Sequence, residues 1–121
     1  MRIGIVIPVL NEASAMPRLC AQWDPPGDDV VIVDGGSTDR SVVLALAAGF
    51  RVVRSDRGRA RQMNAGAAAL GDVEVLVFLH ADVSLPGNWR EAVTQAVASG
   101  AGWGRFDVTL DSARIGLTWV A

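Results

Sequence analysis

Five polar side chains follow three apolar runs of the sequence, at the points where those runs end. Asn11 and Glu12 come after the first run, Asp34 ends the second, and His80 and Asp82 follow a third. Asp82 is the kind of oxygen ligand that Mg²⁺ and Mn²⁺ take together with substrate phosphates. His80 is the only histidine, and its imidazole is able to bind a metal or to donate to a ribose or phosphate. The set indicates a site for a ligand that carries hydroxyls and phosphates.

Each of these residues also has a structural explanation when it is taken alone. Asp34 is suited to accept hydrogen bonds from backbone amides in a turn, and Glu12 to complement the dipole at the start of a helix. Asn11 suits a helix cap, Asp82 a polar loop, and a single His80 at a strand end suits a structural role. Three strand ends with different chemistry favour a ligand site over these separate explanations.

A basic segment over residues 56–66 is the fourth part of the sequence whose residues are suited to bind a ligand. Three arginines, Arg57, Arg59 and Arg61, alternate there with small residues, and Asn64 follows. Guanidinium groups beside the start of a helix suit the binding of a diphosphate. A solvated basic loop is the alternative, but the close spacing favours binding.

These residues require strands and helices that bring them together. The apolar runs predict strands at Ile3–Ile7, Val30–Val33, Phe50–Arg54, Glu74–Leu79 and Gly102–Leu110. The intervening patterns predict helices at Glu12–Trp23, from a cap at Ser37, Thr38 or Asp39 to Ala48, in the second half of Arg57–Leu70, and from Pro86 to Ser99.

The alternation of strands and helices predicts an α/β fold. We expect an open, mostly parallel, Rossmann-like sheet with helices on both faces. The carboxyl ends of parallel strands lie at one edge of such a sheet, which is where ligands bind. Gly35 and Gly36, directly after Asp34, permit a close backbone approach at this edge.

Composition excludes several classes of function. The chain has 121 residues, enough for one domain, and its formal net charge of −2 argues against a general nucleic-acid-binding surface. Its 11 basic residues are all arginine, which excludes mechanisms that need a lysine. The lone Cys20 permits no internal disulfide and favours a reducing compartment.

The apolar runs are too short for a membrane span, which needs about 18 residues. The segment after Arg2 loosely imitates a signal peptide, but Pro8 interrupts it and polar residues follow at once. We therefore predict a strand there, and a cytoplasmic protein that lies free or at the inner face of the membrane. The apolar residues 118–121 fit an interface, as in a homo-oligomer, or equally a terminal helix docked on the core.

At this point the sequence resembles the family 2 glycosyltransferases of the GT-A fold. The matching segments span nearly the whole chain, and their order and spacing are specific: Ile5-Val6-Ile7-Pro8-Val9-Leu10-Asn11-Glu12, Val33-Asp34-Gly35-Gly36-Ser37-Thr38-Asp39, Gly58-Arg59-Ala60-Arg61-Gln62-Met63-Asn64-Ala65-Gly66 and Phe78-Leu79-His80-Ala81-Asp82. Gly104-Arg105-Phe106 is also similar to a later element of a bacterial branch associated with arsenosugar biosynthesis.

The resemblance implies a nucleotide-diphospho-sugar donor and a divalent ion, Mg²⁺ or Mn²⁺. His80-Ala81-Asp82 occupies the place of the family's Asp-x-Asp motif, so Asp82 is expected to hold the ion, whereas His80 replaces the usual first Asp. Asp34 is expected to contact the base and Arg59 the diphosphate. The implied donor-binding residues are Pro8, Val9, Asn11, Glu12, Asp34, Gly35, Arg59, Asn64, His80 and Ala81.

The implied reaction is an inverting transfer to an acceptor hydroxyl of unspecified kind. The metal neutralises the leaving nucleoside diphosphate, and a carboxylate general base activates the acceptor. In the family that base lies well beyond the Asp-x-Asp position, and nothing in their spacing marks Asp107 or Asp111 as the base. We therefore expect residues 1–121 to be a nucleotide-sugar-binding domain whose general base lies beyond Ala121.

Other classes of protein fit the sequence less well. A donor-binding module without catalysis is the main alternative. A signalling receiver domain needs a lysine, and an Asp-x-Asp phosphatase needs an acid where Ile32 stands. A nicotinamide-binding Rossmann domain needs Gly-x-Gly-x-x-Gly after the first strand. A sugar nucleotidyltransferase fits the fold but lacks a glycine-rich basic loop there.

Overall fold

The computed structural model describes residues 1–100, 102–109 and 114–120 of the chain. It divides into two compact units, Met1–Val83 and Ser84–Ala121, which are described separately below.

The first unit contains a four-stranded parallel sheet. Its strands are β1 (Ile3–Val9), β2 (Val30–Asp34), β3 (Arg51–Arg54) and β4 (Val75–Phe78), in the order β3-β2-β1-β4. All of β2 is buried, as expected of a continuous β-branched run in the middle of a parallel sheet. The predicted α/β class and parallel sheet are confirmed.

Three helices connect these strands. A short 3-10 turn (Ala13–Ala15) leads into α1 (Met16–Gln22), and α2 (Ser41–Ala47) and α3 (Arg59–Leu70) follow β2 and β3. The chain moves from β1 to β3 in one direction and then returns past β1 to β4. Because such crossovers are right-handed, α1 and α2 cover one face of the sheet and α3 the other. The reversal makes the space between β1 and β4 the switch point of the sheet.

Helix α3 packs very closely on the sheet. Val6, Val31, Val33 and Leu70 form a buried cluster at this contact. A Cβ atom on Gly66 would lie 2.3 Å from Cγ1 of Val6, so the helix approaches the sheet only because this position is glycine. This contact fixes the start of α3 relative to the ends of β1 and β2.

The opposite face of the sheet carries a second apolar layer. Strand alternation places Ile5, Ile7 and Ile32 there, and all three are buried. Buried residues of the two covering helices complete this layer: Met16, Leu19 and Ala45.

Three predicted helix starts differ from the structure. The first helix begins as a 3-10 turn at Ala13, and α3 is helical along its whole length from Arg59. The last helix, α4 (Trp89–Ala98), begins three residues after Pro86, whose carbonyl oxygen accepts a hydrogen bond from the Trp89 amide. Pro86 therefore lies in the turn before the helix, not in its first turn.

The second unit contains α4 and a two-stranded antiparallel sheet. Strand β5 (Trp103–Thr109) pairs with β6 (Arg114–Val120). The predicted strand at 102–110 corresponds to β5, and β6 replaces the terminal helix that was an alternative. Leu110, Asp111 and Ala121 lie outside the described residues. No helix in the described parts of the chain is long and apolar enough to cross a bilayer.

Candidate functional site

A cavity opens at the switch point, where β1 and β4 end. Its volume is about 210 Å³. It is lined by residues that follow β1, start α3 or follow β4: Pro8, Val9, Leu10, Glu12, Arg59, Gln62 and His80. The structure thus brings together five of the predicted donor-binding residues, which are Pro8, Val9, Glu12, Arg59 and His80.

Gln62 is a cavity residue that the sequence reasoning did not single out. Its Nε2 atom donates to the carbonyl oxygens of Val9 and Val33, each at 3.0 Å, and the residue is only 5% exposed. A Cβ atom on Gly35 would lie 2.8 Å from Cδ of Gln62, so Gly35 makes room for this side chain. Gln62 therefore joins α3 to the ends of β1 and β2. The available signal was its spacing of four residues from Gly66 and eight from Leu70, the other two buried residues of α3.

The loops after β1 and β2 are joined by a set of hydrogen bonds that we call the loop latch (Asn11–Ala13 with Ser37–Ser41). Asn11 Oδ1 accepts from the Thr38 amide at 2.8 Å and from the Asp39 amide at 3.3 Å. The Asn11 amide donates to Ser37 Oγ at 2.9 Å. Asn11 also has a φ of 53°, in the left-handed region that asparagine tolerates. Its side-chain oxygen is therefore engaged within the latch, and Asn11 does not line the cavity.

Ser41 and Asp39 form the other half of the loop latch. Ser41 Oγ accepts from the Glu12 amide at 2.8 Å and donates to Asp39 Oδ1 at 2.6 Å. Asp39 Oδ2 accepts from the Ala13 amide at 3.1 Å. The hydrogen bond from the Ser41 hydroxyl, followed by that from its amide, holds the pKa of Asp39 below its usual value. The latch thereby fixes the backbone of Glu12 at the edge of the cavity.

These contacts decide among the three residues that were expected to cap α2. Only Asp39 accepts a hydrogen bond from the first helical amide, that of Ser41, at 2.9 Å. Ser37 and Thr38 bind the loop of Asn11 instead. Their partners lie 26 or 27 residues away in the sequence, so local capping rules do not reveal them.

Asp34 is completely buried at the end of β2. Its Oδ1 atom accepts a hydrogen bond from the Ser37 amide at 3.0 Å, as a turn acid does. Its Oδ2 atom is buried with no hydrogen-bond partner among the described residues. Asp34 does not line the cavity, but it retains an acceptor that the protein itself leaves unused.

His80 lies between two carboxylates, and we call these residues the Glu12–His80–Asp82 row. Nε2 of His80 is 3.8 Å from Oε1 of Glu12, and Nδ1 contacts Oδ1 of Asp82. The amide of Asp82 also donates to His80 Nδ1 at 3.4 Å. Within the described residues, no group of three or more His, Cys, Asp or Glu side chains is arranged to hold a metal ion.

A second cavity of about 380 Å³ lies beside Glu12, on the side of α1. It is lined by Glu12, Ser14, Ala15, Pro17, Arg18 and Asp82. Glu12 therefore lines both cavities, whereas His80 lines the first and Asp82 the second.

Besides Asn11 and Asp34, three further predicted donor-binding residues line neither cavity. Gly35 and Ala81 are buried, and Asn64 is exposed on α3. Arg59 lines the first cavity from the first position of α3. Arg61 instead forms an exposed ion pair, in which its Nη1 atom lies 3.9 Å from Oδ2 of Asp56.

The sequence matches a family described as Glycosyl transferase family 2 over residues 4–109. The chain belongs to glycosyltransferase family 2. The match includes every segment on which the resemblance was based. No curated protein matches the sequence.

Similar folds occur in crystal structures of glucosyl-3-phosphoglycerate synthase from Mycobacterium tuberculosis. The enzyme in its complex with Mn²⁺, UDP and glucosyl-3-phosphoglycerate shares 23% sequence identity with this chain. The two structures have a TM-score of 0.67, and the match covers 85% of this chain and 42% of that one. The complex with Mn²⁺, UDP-glucose and glycerol 3-phosphate has a TM-score of 0.68 at 23% identity, over 85% and 42% of the two chains. The complex with Mg²⁺ and UDP has a TM-score of 0.68 at 23% identity, over 85% and 41%.

These likenesses confirm the fold of this family 2 glycosyltransferase chain. The solved neighbours are GT-A glycosyltransferases, as the sequence resemblance implied. The chain spans about two fifths of their length, 42% in the first complex.

Proposed function

We propose that this chain binds the nucleotide-diphospho-sugar donor of an inverting, metal-assisted glycosyltransferase. The observation that carries the proposal is the cavity at the β1/β4 switch point, which Glu12, Arg59 and His80 line together. Family membership supports it. So do similar folds that hold UDP, UDP-glucose, Mn²⁺ or Mg²⁺.

The cavity walls suit different parts of such a donor. Pro8, Val9 and Leu10 present an apolar surface for a nucleobase and ribose ring. Arg59 lies at the first position of α3, where a guanidinium and free helix amides together attract a diphosphate. Glu12 supplies an acceptor for a ribose or sugar hydroxyl.

Asp82 is the proposed ligand for the divalent ion. Its carboxylate is largely exposed and lies next to His80, at the end of β4. Mg²⁺ and Mn²⁺ sites of this kind use one or two protein groups and complete their coordination with substrate phosphates. The residues present therefore fit such an ion, and the ion, when bound, neutralises charge on the leaving diphosphate.

The described residues serve donor binding rather than acceptor activation. Arg59 adds positive charge where the diphosphate leaves, and the loop latch holds Glu12 in place. We assign the activation of the attacking acceptor hydroxyl, by removal of its proton, to a general base outside these residues. Membership of the arsenosugar-associated branch remains a further prediction, based on Gly104-Arg105-Phe106.

Calorimetric titration with UDP, with and without Mn²⁺, tests the donor site. We expect tighter binding of UDP with Mn²⁺, and loss of this gain in Asp82→Ala with the fold intact. Asp72→Ala is the matched control, because Asp72 is exposed just before β4, at the opposite edge of the sheet. Equal UDP affinity with and without Mn²⁺ in the unmodified protein would contradict the metal role.

The proposed contact between Asp34 and the nucleobase is tested by UMP binding. Its unused Oδ2 acceptor is suited to a base N–H, so Asp34→Ala should weaken UMP binding about tenfold or more in the absence of metal. Circular dichroism and thermal unfolding establish that the variant is folded. An unchanged UMP affinity in a folded variant refutes the base contact.

A donor-binding module without catalysis is the second candidate. The chain spans 42% of the similar structure, so binding and catalysis by this chain are to be tested separately. UDP release from UDP-glucose with Mn²⁺ distinguishes the two functions. Clear turnover by this chain excludes the non-catalytic reading, whereas binding without turnover supports it.

A further inference from the structure

We infer that His80 is itself a metal ligand through Nδ1, so that the divalent ion is held by one nitrogen and one oxygen, with Glu12 orienting the imidazole. This inference rests on the proposed function, because the donor diphosphate completes the coordination. It replaces an all-oxygen site with a mixed one, and it gives Glu12 a second role at the boundary of the two cavities.

His80 and Asp82 are in direct contact through their side chains. Nδ1 of His80 accepts from the Asp82 amide at 3.4 Å, so its lone pair points toward Asp82. Oδ1 of Asp82 contacts the same nitrogen. Two acceptor atoms that face each other repel unless a proton or a cation lies between them. A shared proton satisfies both atoms at the observed contact, and a divalent ion satisfies both once the side chains move apart to admit it and Nδ1 releases the Asp82 amide.

Glu12 lies beside the other ring nitrogen of His80. Its Oε1 atom lies 3.8 Å from Nε2 of His80, on the side of the ring opposite Asp82. A carboxylate there attracts the Nε2 proton and leaves Nδ1 free as a ligand. Histidine ligands of metals commonly donate their other N–H to a carboxylate in this way, which fixes the tautomer and orients the ring. Glu12 is thus a positioning residue for the metal.

The three side chains differ in their exposure to solvent. The side chains of His80 and Asp82 are 45% and 63% exposed, whereas that of Glu12 is 24% exposed. The two proposed ligands are therefore open to an incoming ion and diphosphate, and the orienting carboxylate is more enclosed. Two protein ligands are few for a stable site. This agrees with the lack of a three-residue metal cluster among the described side chains.

A nitrogen ligand changes which ions the site prefers. Carboxylate and water ligands suit Mg²⁺, while imidazole favours transition metals, in rising order from Mn²⁺ to Co²⁺. The His80–Asp82 pair should therefore favour Mn²⁺ and Co²⁺ over Mg²⁺ more than two carboxylates do. His80→Asp restores the all-oxygen pair and should shift the preference back toward Mg²⁺.

Electron spin-echo spectroscopy of Mn²⁺ bound with UDP tests the ligand directly. His80 is the only histidine, so in tag-free protein any imidazole ¹⁴N coupling to Mn²⁺ belongs to it. We expect this coupling in the unmodified protein and its loss in His80→Asp and His80→Gln. Glu12→Gln should retain the coupling but lower Mn²⁺ affinity about tenfold or more. Asp72→Asn serves as the control and should change neither quantity.

The outcomes separate this inference from the proposed function. Binding of Mn²⁺ with UDP in an Asp82-dependent manner but without ¹⁴N coupling overturns the His80 ligand and leaves the donor site standing. That result means a proton, not the metal, is shared by His80 and Asp82. An unchanged Mn²⁺-to-Mg²⁺ preference in His80→Asp also overturns it. If neither UMP nor UDP binds, the proposed function fails and this inference fails with it.

Discussion

The side-chain amide of Gln62 donates a hydrogen bond to the carbonyl oxygen of Val9 at 3.0 Å. The same nitrogen donates to the carbonyl oxygen of Val33. Gln62 therefore joins one helix to two neighbouring strands at the edge of the candidate site. Because Gln62 is buried, both hydrogen bonds are made away from bulk water. The geometry of the cavity wall thus depends on a residue that need not touch the donor.

Replacing this glutamine should destabilise the fold. Gln62→Leu preserves much of the side-chain volume but removes both hydrogen bonds, at a cost of about 1–3 kcal/mol in the free energy of unfolding. Urea denaturation measures the change. Gln95→Leu, at an exposed position of α4, is the matched control, with an expected change within about 0.5 kcal/mol. Equal effects of the two substitutions would show that the buried hydrogen bonds contribute nothing.

The close contact of Gly66 with Val6 leads to a second prediction. Alanine in mid-helix normally gains about 1 kcal/mol over glycine. At Gly66, however, its Cβ would lie 2.3 Å from a methyl group of the buried and rotationally restricted Val6. We expect overpacking to outweigh the helix propensity, so that Gly66→Ala is destabilised by about 1–2 kcal/mol net.

Gly87→Ala provides the control for this substitution. A Cβ atom at Gly87 meets no atom within 4 Å among the described residues, so the change should be neutral or slightly stabilising. Both variants are compared by thermal unfolding. A Gly66→Ala protein as stable as the unmodified one would contradict the packing argument.

The strands and the edge of the sheet were predictable from the sequence because they depend on local patterns. The β-branched run of β2 is typical of a buried parallel strand, and polar residues directly after such strands lie at one edge. The predicted residues Glu12 and His80 do meet at the cavity for this reason. The order β3-β2-β1-β4, which makes β1/β4 the switch point, required the structure.

The roles of Asn11 and Gln62 were not predictable in the same way. Asn11 follows a strand as Glu12 does, and its residue type fits a ligand contact as well as it fits the left-handed backbone that it adopts. Gln62 bonds to carbonyl groups 29 and 53 residues away. Which of two neighbouring polar side chains turns toward the cavity is decided by such distant partners, and periodicity carries no information about them.

Asn11 offers a third prediction, because its backbone and side chain contribute separately. Asn11→Ala and Asn11→Gly both remove the acceptor that binds the Thr38 and Asp39 amides. Only alanine also meets the cost of a positive φ, about 1–2 kcal/mol. We therefore expect Asn11→Ala to be less stable than Asn11→Gly by about 1 kcal/mol in urea denaturation. An alanine variant that is at least as stable as the glycine variant would argue against the left-handed conformation.

Asp39 should give the loop latch a dependence on acid. Hydrogen bonds from Ser41 lower the pKa of Asp39 in the folded state below its usual value, about 3.9 in an unfolded chain. A lowered folded-state pKa means that the ionised form stabilises the fold fully above the unfolded pKa. This stabilisation is lost as the pH falls through the folded pKa. Asp39→Asn should thus be destabilised at neutral pH, and its deficit should shrink below about pH 4.

Ser41→Ala separates the hydrogen bond from the charge. Without the Ser41 hydroxyl, the largest cause of the shift is removed, so the pKa of Asp39 should rise toward its ordinary value. Carboxyl ¹³C titration by NMR measures the pKa in both proteins, and urea denaturation from pH 7 to pH 3 measures the stability. In Ser41→Ala the pKa of Asp39 should rise and the stability at neutral pH should fall, because the same hydrogen bond to Asp39 controls both quantities. A stability deficit in Asp39→Asn that stays constant from pH 7 to pH 3, together with an ordinary pKa of Asp39 in the unmodified protein, would show that the charge of Asp39 does not stabilise the latch.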